Sequence, residues 1–485
     1  MNVFIIPRVL AKAWLAFLLL YIGYRAATLS MTCDEAWTST DMPYPGLFGY
    51  ITPEYIAGLN VHLLNNWLAN LCMTILGESD LAVRLPALAG GGVYLVGAYV
   101  LCARLFQSWR LPASFVLLTA NPYLLDFFSI GRGYALGMGC LMLGLPQFLK
   151  VRDKDVAPPW YIAWFALAVI ANLSFLYVYL AAMTLEIILT LPLMRKSTAK
   201  TLQLRHLAGP IVATLAVLTL IYSQAMRIAT RNNEHWWGSP DGFINGGLTS
   251  LVQVTLYHIS VPSNILLLIT WATLGLSFGL ALVAIASCRA RRMDSSPLVA
   301  LNALLTLFTI VWAGVTLEHL LFGTPFLIER GMFFIYPILI LIPACAAESL
   351  ASSSRAVLGY GALAFLFAFV LTNFTIAANL DHTATWRNDA CSRPFLERIC
   401  AENYPRNFTR EPIRIAASHM AAHTINYYVR HMRLAFVESV DGLDRLDSAD
   451  YAIMPAGQAA DTHIAVRFEN IAQCPANDMV LLRKK

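Results

Sequence analysis

Apolar runs of about 20 residues recur along most of this chain, and nothing else in it constrains the fold as strongly. As a helix, each run is long enough to cross a bilayer core. A backbone surrounded by lipid must satisfy its own hydrogen bonds, so the spans are read as helices. Charge bears this out: only 13% of the 485 residues are charged and 58% are hydrophobic, where a soluble domain carries nearly twice that charge. The fold class expected is therefore a polytopic α-helical membrane protein with about eleven spans. They fall near 9–28, 84–106, 111–128, 131–150, 159–173, 174–194, 206–226, 263–288, 298–320, 327–347 and 356–377. The first run, with Arg8 and Lys12 at its start, reads as an uncleaved anchor, since no small-x-small cleavage pattern follows.

Lysine and arginine fix the orientation. Arg8 and Lys12, Arg104 and Arg110, Lys150 to Lys154, Arg195 to Arg205, Arg289 to Arg292, and Arg355 fall on alternate loops. That face is cytoplasmic by the positive-inside rule, which puts the N-terminus inside and the C-terminal tail outside. The same topology explains the net charge of +5, so no nucleic-acid partner is expected. The run 159–194 is split at Asn172-Leu173-Ser174, because it is too long for one span.

Four segments then face outward: 29–83, Leu125–Arg132, 227–262 and Glu318–Arg330. In the first, Pro43, Pro45 and Pro53 precede an apolar run, Ile56–Leu76, broken by His62, Asn65, Asn66 and Asn70. It reads as a helix lying in the outer interface. From about 380 the composition is that of a small water-soluble α/β domain. Helices are expected at Thr385–Ala401 and His419–His431, and strands at Ile413–Ser418, Leu434–Glu438, Tyr451–Met454 and Met479–Leu482. The division is thus 1–379 for the membrane part and 380–485 for the external domain. Cys391, Cys400 and Cys474 allow one disulfide there, with the pairing open.

Ionised side chains at membrane depth need a partner or a task. Asp34, Glu35, Arg84, Asp126, Arg132, Glu329 and Arg330 all map to the outer face. Each has a structural reading: Asp34-Glu35 as a helix cap with a first-turn acid, Arg84 as a snorkelling cation, Asp126 with Arg132 as an ion pair. Glu329 can neutralise Arg330, His62 can be an interfacial hydrogen-bonding residue, and Trp236-Trp237 an interfacial anchor. Together they meet the needs of a reaction on a lipid-borne phosphate. Arginine binds phosphate bidentately, and Asp34, in Thr32-Cys33-Asp34-Glu35-Ala36-Trp37, is placed as a base.

These residues resemble a family, the GT-C-fold glycosyltransferases, in the bacterial branch of protein O-mannosyltransferases and the lipid A aminoarabinose transferase. The similarity runs over about residues 8–350. It is carried by Asp34-Glu35 after the first span and by Asn60-Val61-His62-Leu63-Leu64, which departs from the family's Asn-His-Pro-Pro-Leu at Val61 and in lacking the prolines. Gly77 to Pro86, Asn121-Pro122, Asp126, Arg132-Gly133-Tyr134-Ala135 and Glu329-Arg330 complete it. The resemblance implies a polyprenyl-phosphate sugar donor and a cell-surface acceptor (glycan, lipid or protein), with inversion at the anomeric carbon. It also implies Asp34 as base, with Glu35 beside it; Arg330, Arg84 and Arg132 on the donor phosphate; and Asp126, Tyr134, His62 and Glu329 around the cavity. The setting implied is the bacterial plasma (inner) membrane. A divalent cation is compatible with the family, although no dedicated cage of hard oxygen ligands is evident. Two alternatives differ in what they need. A lipid-linked glycan ligase or polymerase would use Arg227, Arg231, His235 and His258 of the third loop. A flippase would need charges along a path through both faces and repeated halves, and no repeat is evident.

Overall fold

The computed structural model describes residues 2–40, 62–151, 160–196, 208–209, 211–221, 238–257, 259–291, 295–403, 412–434, 436–441 and 443–485. Pro43, Pro45, Pro53, Asn60, Val61, Arg227, Arg231, His235, Trp236, Trp237 and His258 lie outside the described residues. The helices of the membrane part are α1 (Asn2–Thr28), α2 (Cys33–Thr40), α3 (Leu63–Leu76), α4 (Asp80–Leu105), α5 (Arg110–Thr119), α6 (Pro122–Ser129) and α7 (Tyr134–Val151). They continue with α8 (Tyr161–Ala171), α9 (Leu176–Lys196), α10 (Ile211–Ile221), α11 (Thr249–Thr255), α12 (Ser263–Ala290), α13 (Ser296–Phe322), α14 (Tyr336–Leu350) and α15 (Ala356–Ala377).

Six segments among the described residues are long and apolar enough to cross a membrane: Ile5–Thr28, Asp80–Leu105, Ser263–Ala290, Ser296–Phe322, Glu329–Leu350 and Ala356–Ala377. This is a multi-pass membrane protein. The expected span 111–128 differs: it is two helices, α5 and α6, meeting at 62°. The sequence forces the break. Pro122 takes the first helical position of α6, where a missing N–H costs nothing. The Asn121 side chain caps that helix by accepting from the Leu124 amide. The long run 159–194 is interrupted at Asn172, whose side-chain oxygen accepts from the Ser174 amide and hydroxyl at 2.9 and 2.8 Å. Glycines let α4 and α7 come into close contact. A Cβ on Gly139 would lie 2.5 Å from the Gly90 carbonyl oxygen, and one on Gly90 2.6 Å from the Leu136 nitrogen. Small residues permit such close approach of membrane helices.

The chain then forms a small sheet domain with helices α16 (Ser392–Asn403) and α17 (His419–His431). Its strands are β1 (Ile413–Ala417), β2 (Val437–Asp441), β3 (Tyr451–Pro455), β4 (Phe468–Gln473) and β5 (Met479–Lys484). The order across the sheet is β2-β1-β3-β5-β4. β1 runs parallel to β2 and β3, while β5 is antiparallel to β3 and β4. The expected strand at Leu434–Glu438 begins later, at Val437, and β4 was not anticipated. Phe468–Gln473 (Phe-Glu-Asn-Ile-Ala-Gln) lacks the β-branched alternation that flags a strand. The disulfide joins Cys391 to Cys474 and leaves Cys400 as a thiol.

The core of this domain does not stop at its own surface. Phe395, Leu396, Tyr427 and Tyr428 pack in one cluster with Met31 and Ala36 around α2 and with Met73, Ala82 and Val83 of α3 and α4. The Tyr427 and Tyr428 hydroxyls donate to the two oxygens of Asp80 at 3.0 and 3.2 Å. Tyr428 also accepts from the Met31 amide at 2.8 Å.

Candidate active site

The short helix α2 is built by a reciprocal cap. Thr32 and Glu35 have the S/T-x-x-E spacing in which each side chain satisfies the other's backbone amide. The Thr32 amide donates to Glu35 Oε2 at 2.9 Å, and the Glu35 amide to Thr32 Oγ1 at 3.3 Å. Glu35 is fully buried and also takes the Gly131 amide at 2.6 Å. Arg84 closes the structure. Its Nε and Nη2 reach the two Glu35 oxygens at 2.8 and 3.0 Å, and its remaining N–H groups go to the carbonyls of Ala26, Leu29 and Ser30. All five guanidinium donors are spent, so Arg84 has none for a phosphate. Burial alone would raise the Glu35 carboxyl, but the Arg84 charge and the donated hydrogen bonds outweigh it and hold the group below its usual range.

Asp34 lies on the other side of α2. Its side chain is 16% exposed, and one oxygen is 3.1 Å from Arg132 Nη2. Arg132 follows the turn after α6 and is buried. That ion pair is off the line a hydrogen bond requires: Arg132 Nε and Nη2 and Asp34 Oδ2 make no hydrogen bond among the described residues. His62 is buried alongside, its ring 5.0 Å from that of Tyr134. Gly133 makes room for it, since a Cβ there would meet His62 Cβ at 2.6 Å. Burial, then the charges of Arg132 and Arg330, push the His62 imidazole well below its ordinary value, so it is neutral at pH 7. The Asn172 carboxamide oxygen is engaged by Ser174, which turns its nitrogen toward His62 Nδ1 at 3.4 Å. Assigned from this network, the imidazole proton sits on Nε2, and Nε2 has no hydrogen-bond partner among the described residues.

Arg330 approaches from another element. Glu329 holds a left-handed backbone, φ 50°, which is strained for a side-chain-bearing residue. Its amide is tied to Ser250 Oγ at 2.8 Å, and the turn delivers Arg330 into the interior. The Arg330 guanidinium lies over the Trp386 ring, 5.1 Å from its centroid, with Tyr134, Tyr123 and Asp34 near enough to act on its charge. Glu329 has its backbone in this turn, and among the described residues its carboxylate forms no salt bridge with Arg330, so the expected neutralisation is not seen.

Asp126 sits elsewhere. It does not pair with Arg132; it meets Arg25 at 2.6 Å, accepts from the Tyr257 hydroxyl at 2.9 Å and takes the Ala384 amide at 2.8 Å. The bend at Asn121-Pro122 carries it toward α1 and the chain leaving α15. Of the residues singled out from sequence, the structure therefore brings together Asp34, Arg132, Arg330, His62 and Tyr134. It withdraws Glu35, Arg84 and Asp126 into structural pairs. Three residues of these arrangements are missed from sequence. Arg25, a charge inside an apolar run, carries a usable signal. Asn172 and Trp386 carry none. Among the described residues no group of three His, Cys, Asp or Glu side chains is arranged to hold a metal ion.

The bundle of membrane helices with a small sheet domain packed against it is the GT-C fold, as the match to solved structures of that fold shows. The chain is similar over 98% of its length to ArnT from Cupriavidus metallidurans bound to undecaprenyl phosphate, at 15% identity, a TM-score of 0.51 and 97% coverage of that chain. It also matches the oligosaccharyltransferase of Archaeoglobus fulgidus at 12% identity, covering 93% of this chain and 69% of that one, with a TM-score of 0.42. No family model and no curated protein sequence matches. The likeness to ArnT rests on the fold.

Proposed function

We propose that this protein is an inverting glycosyltransferase that moves a sugar from a polyprenyl-phosphate donor to a cell-surface acceptor at the outer face of a bacterial plasma membrane. One observation carries the reading. Among the described residues, a carboxylate oxygen (Asp34), two guanidinium nitrogens (Arg132) and an imidazole N–H (His62) without hydrogen-bond partners converge in one place. Leaving such groups unsatisfied is costly unless a ligand completes them. Two guanidiniums, Arg132 and Arg330, lie close to the Asp34 carboxylate, and guanidiniums suit a phosphate through charge-assisted, bidentate hydrogen bonds. The undecaprenyl phosphate held by the similar ArnT structure supports a polyprenyl carrier.

In the proposed reaction the acceptor hydroxyl gives its proton to Asp34 as its oxygen bonds to the anomeric carbon. The bond from that carbon to the phosphate oxygen breaks on the opposite face. Polyprenyl phosphate leaves with the electron pair, its charge met by Arg132 and Arg330, while the neutral His62 donates from Nε2 to a donor oxygen. A single displacement inverts the anomeric centre. Because no nucleotide leaves, no nucleotide site is required.

The deciding assay is sugar discharge in nanodiscs from a panel of radiolabelled polyprenyl-phosphate sugars, wild type against Asp34→Asn at matched folded yield. Losing the general base should lower turnover by about 10²- to 10⁴-fold while donor binding persists. Discharge at the wild-type rate by Asp34→Asn would sink the assignment. Lipid movement across the bilayer with no discharge of any donor would favour a transporter.

A further inference from the structure

The segment Ala384–Cys391, separated from the end of α15 by six residues, runs across the site before entering the sheet domain. Its contacts bracket the charged residues. The Ala384 amide binds Asp126, and Thr385 Oγ1 lies 3.3 Å from the Tyr123 hydroxyl. The Trp386 ring, 6% exposed, packs edge-on to Phe127 at 5.7 Å and carries the Arg330 guanidinium on its face. Three residues later the buried Asp389 accepts the Cys33 amide on Oδ2 at 2.6 Å. Ser30 Oγ donates to the Ala390 carbonyl at 2.7 Å. The segment is itself clamped from behind, by Arg387 Nε on the Ala476 carbonyl, Asn477 Nδ2 on the Arg387 carbonyl, and the Cys391–Cys474 disulfide.

Resting on the glycosyltransferase reading, we infer that this strap is part of the active site: Asp389 is a positioning residue for Asp34, and Trp386 is the seat of Arg330. Cys33 opens α2, so its amide is one of the helix's orphan donors. Thr32 and Glu35 cap each other's amides, and Asp389 supplies the cap for Cys33 from another part of the chain. The first turn of α2 contains Asp34, so the cap fixes where the base stands. Trp386 does the same for the cation: a guanidinium on an indole face is held in plane by cation–π attraction. The sheet domain therefore reaches both charged groups through one strap.

The test uses the full-length protein in nanodiscs. Hydrogen exchange of the peptide spanning Met31–Thr40 should quicken by about fivefold in Asp389→Ala, the loss of one helix cap, and stay at the wild-type rate in Asp389→Asn, which keeps an acceptor. Turnover of Asp389→Ala should fall by about 100-fold with the donor KM unchanged, as for a misplaced catalytic group. Asp389→Asn should restore it. Trp386→Ala should raise the donor KM, and Trp386→Phe should recover most of the loss. If Asp389→Ala yields no folded protein, Asp389→Ser, too short to reach the amide, takes its place with the same readings. Unchanged exchange overturns the inference; so does faster exchange with wild-type turnover. A wild type that discharges no donor defeats the glycosyltransferase reading, and the exchange arm then decides alone whether the strap positions α2.

Discussion

Adjacent residues on a helix point about 100° apart, and on α2 that angle separates two chemistries. Glu35 turns inward to a salt bridge with every lone pair and donor accounted for; Asp34 turns toward Arg132, with an oxygen that makes no hydrogen bond among the described residues. Removing either member of the Glu35–Arg84 pair strands a buried charge, at a cost of about 3–5 kcal/mol. Arg84→Met is thus expected to lose folded yield and melting temperature, while whatever folds keeps the wild-type donor KM. Size-exclusion recovery and thermal melts in detergent, set beside KM, separate this from a phosphate-binding role. Asp389 supplies a pH dependence. Burial, with Asp34 and Glu35 nearby, pushes its carboxyl up to about 7, above the unfolded value of about 3.9. Between those values the folded state binds the extra proton, so stability falls as pH rises from about 4 to 7. Asp389→Asn cannot ionise. It should melt above wild type at pH 8, with the gap closing toward pH 4. A gap independent of pH would contradict the assignment.

At the scale of elements, the site depends on interruptions in helices more than on helices. The bend at Asn121-Pro122 places Arg132 and Asp126 on different sides, the left-handed Glu329 aims Arg330, and the cap at Thr32 starts α2. Their scaffold is the α4–α7 contact, where backbone meets backbone at Gly90 and Gly139. A methyl group at Gly139 has no flexible side chain to displace. Gly139→Ala should destabilise the protein by about 1–3 kcal/mol, seen as a lower melting temperature, whereas Gly275→Ala, with open space around it, should be neutral. Pro122 and the cap spacing Thr32-x-x-Glu35 were in plain view in the sequence. The direction in which each break turns the chain was not, because a proline fixes a torsion locally while the resulting angle depends on what packs against it.

At the scale of the molecule, the sheet domain is continuous with the site. Its cluster includes Met31 and Ala36, its tyrosines hold Asp80, and its strap carries Trp386 and Asp389. An appended acceptor-binding module could be removed with donor hydrolysis intact. Here, deletion of residues after 380 should abolish donor discharge as well as transfer, because α2 loses the Asp389 cap and its apolar cover together. Measuring discharge without acceptor distinguishes the two, and retained discharge would argue for a separable module.

The sequence by itself determined that the chain is helical and membrane-spanning, because twenty apolar residues in a row have no other low-energy arrangement in lipid. It also pointed to an outer face rich in carboxylates and arginines, among them Asp34, Arg132 and Arg330. Which carboxylate pairs with which arginine was decided only by tertiary structure. The sequence suggests Asp126 as the partner of Arg132, where the structure has Asp34, and it makes Arg84 as plausible a phosphate ligand as Arg330. Partner choice depends on distances of a few ångströms between residues such as Arg25 and Asp126, a hundred positions apart in the chain. The contribution of Trp386 and Asp389 was likewise invisible, since a tryptophan and an aspartate in a soluble-looking stretch carry no mark of the helix they will cover.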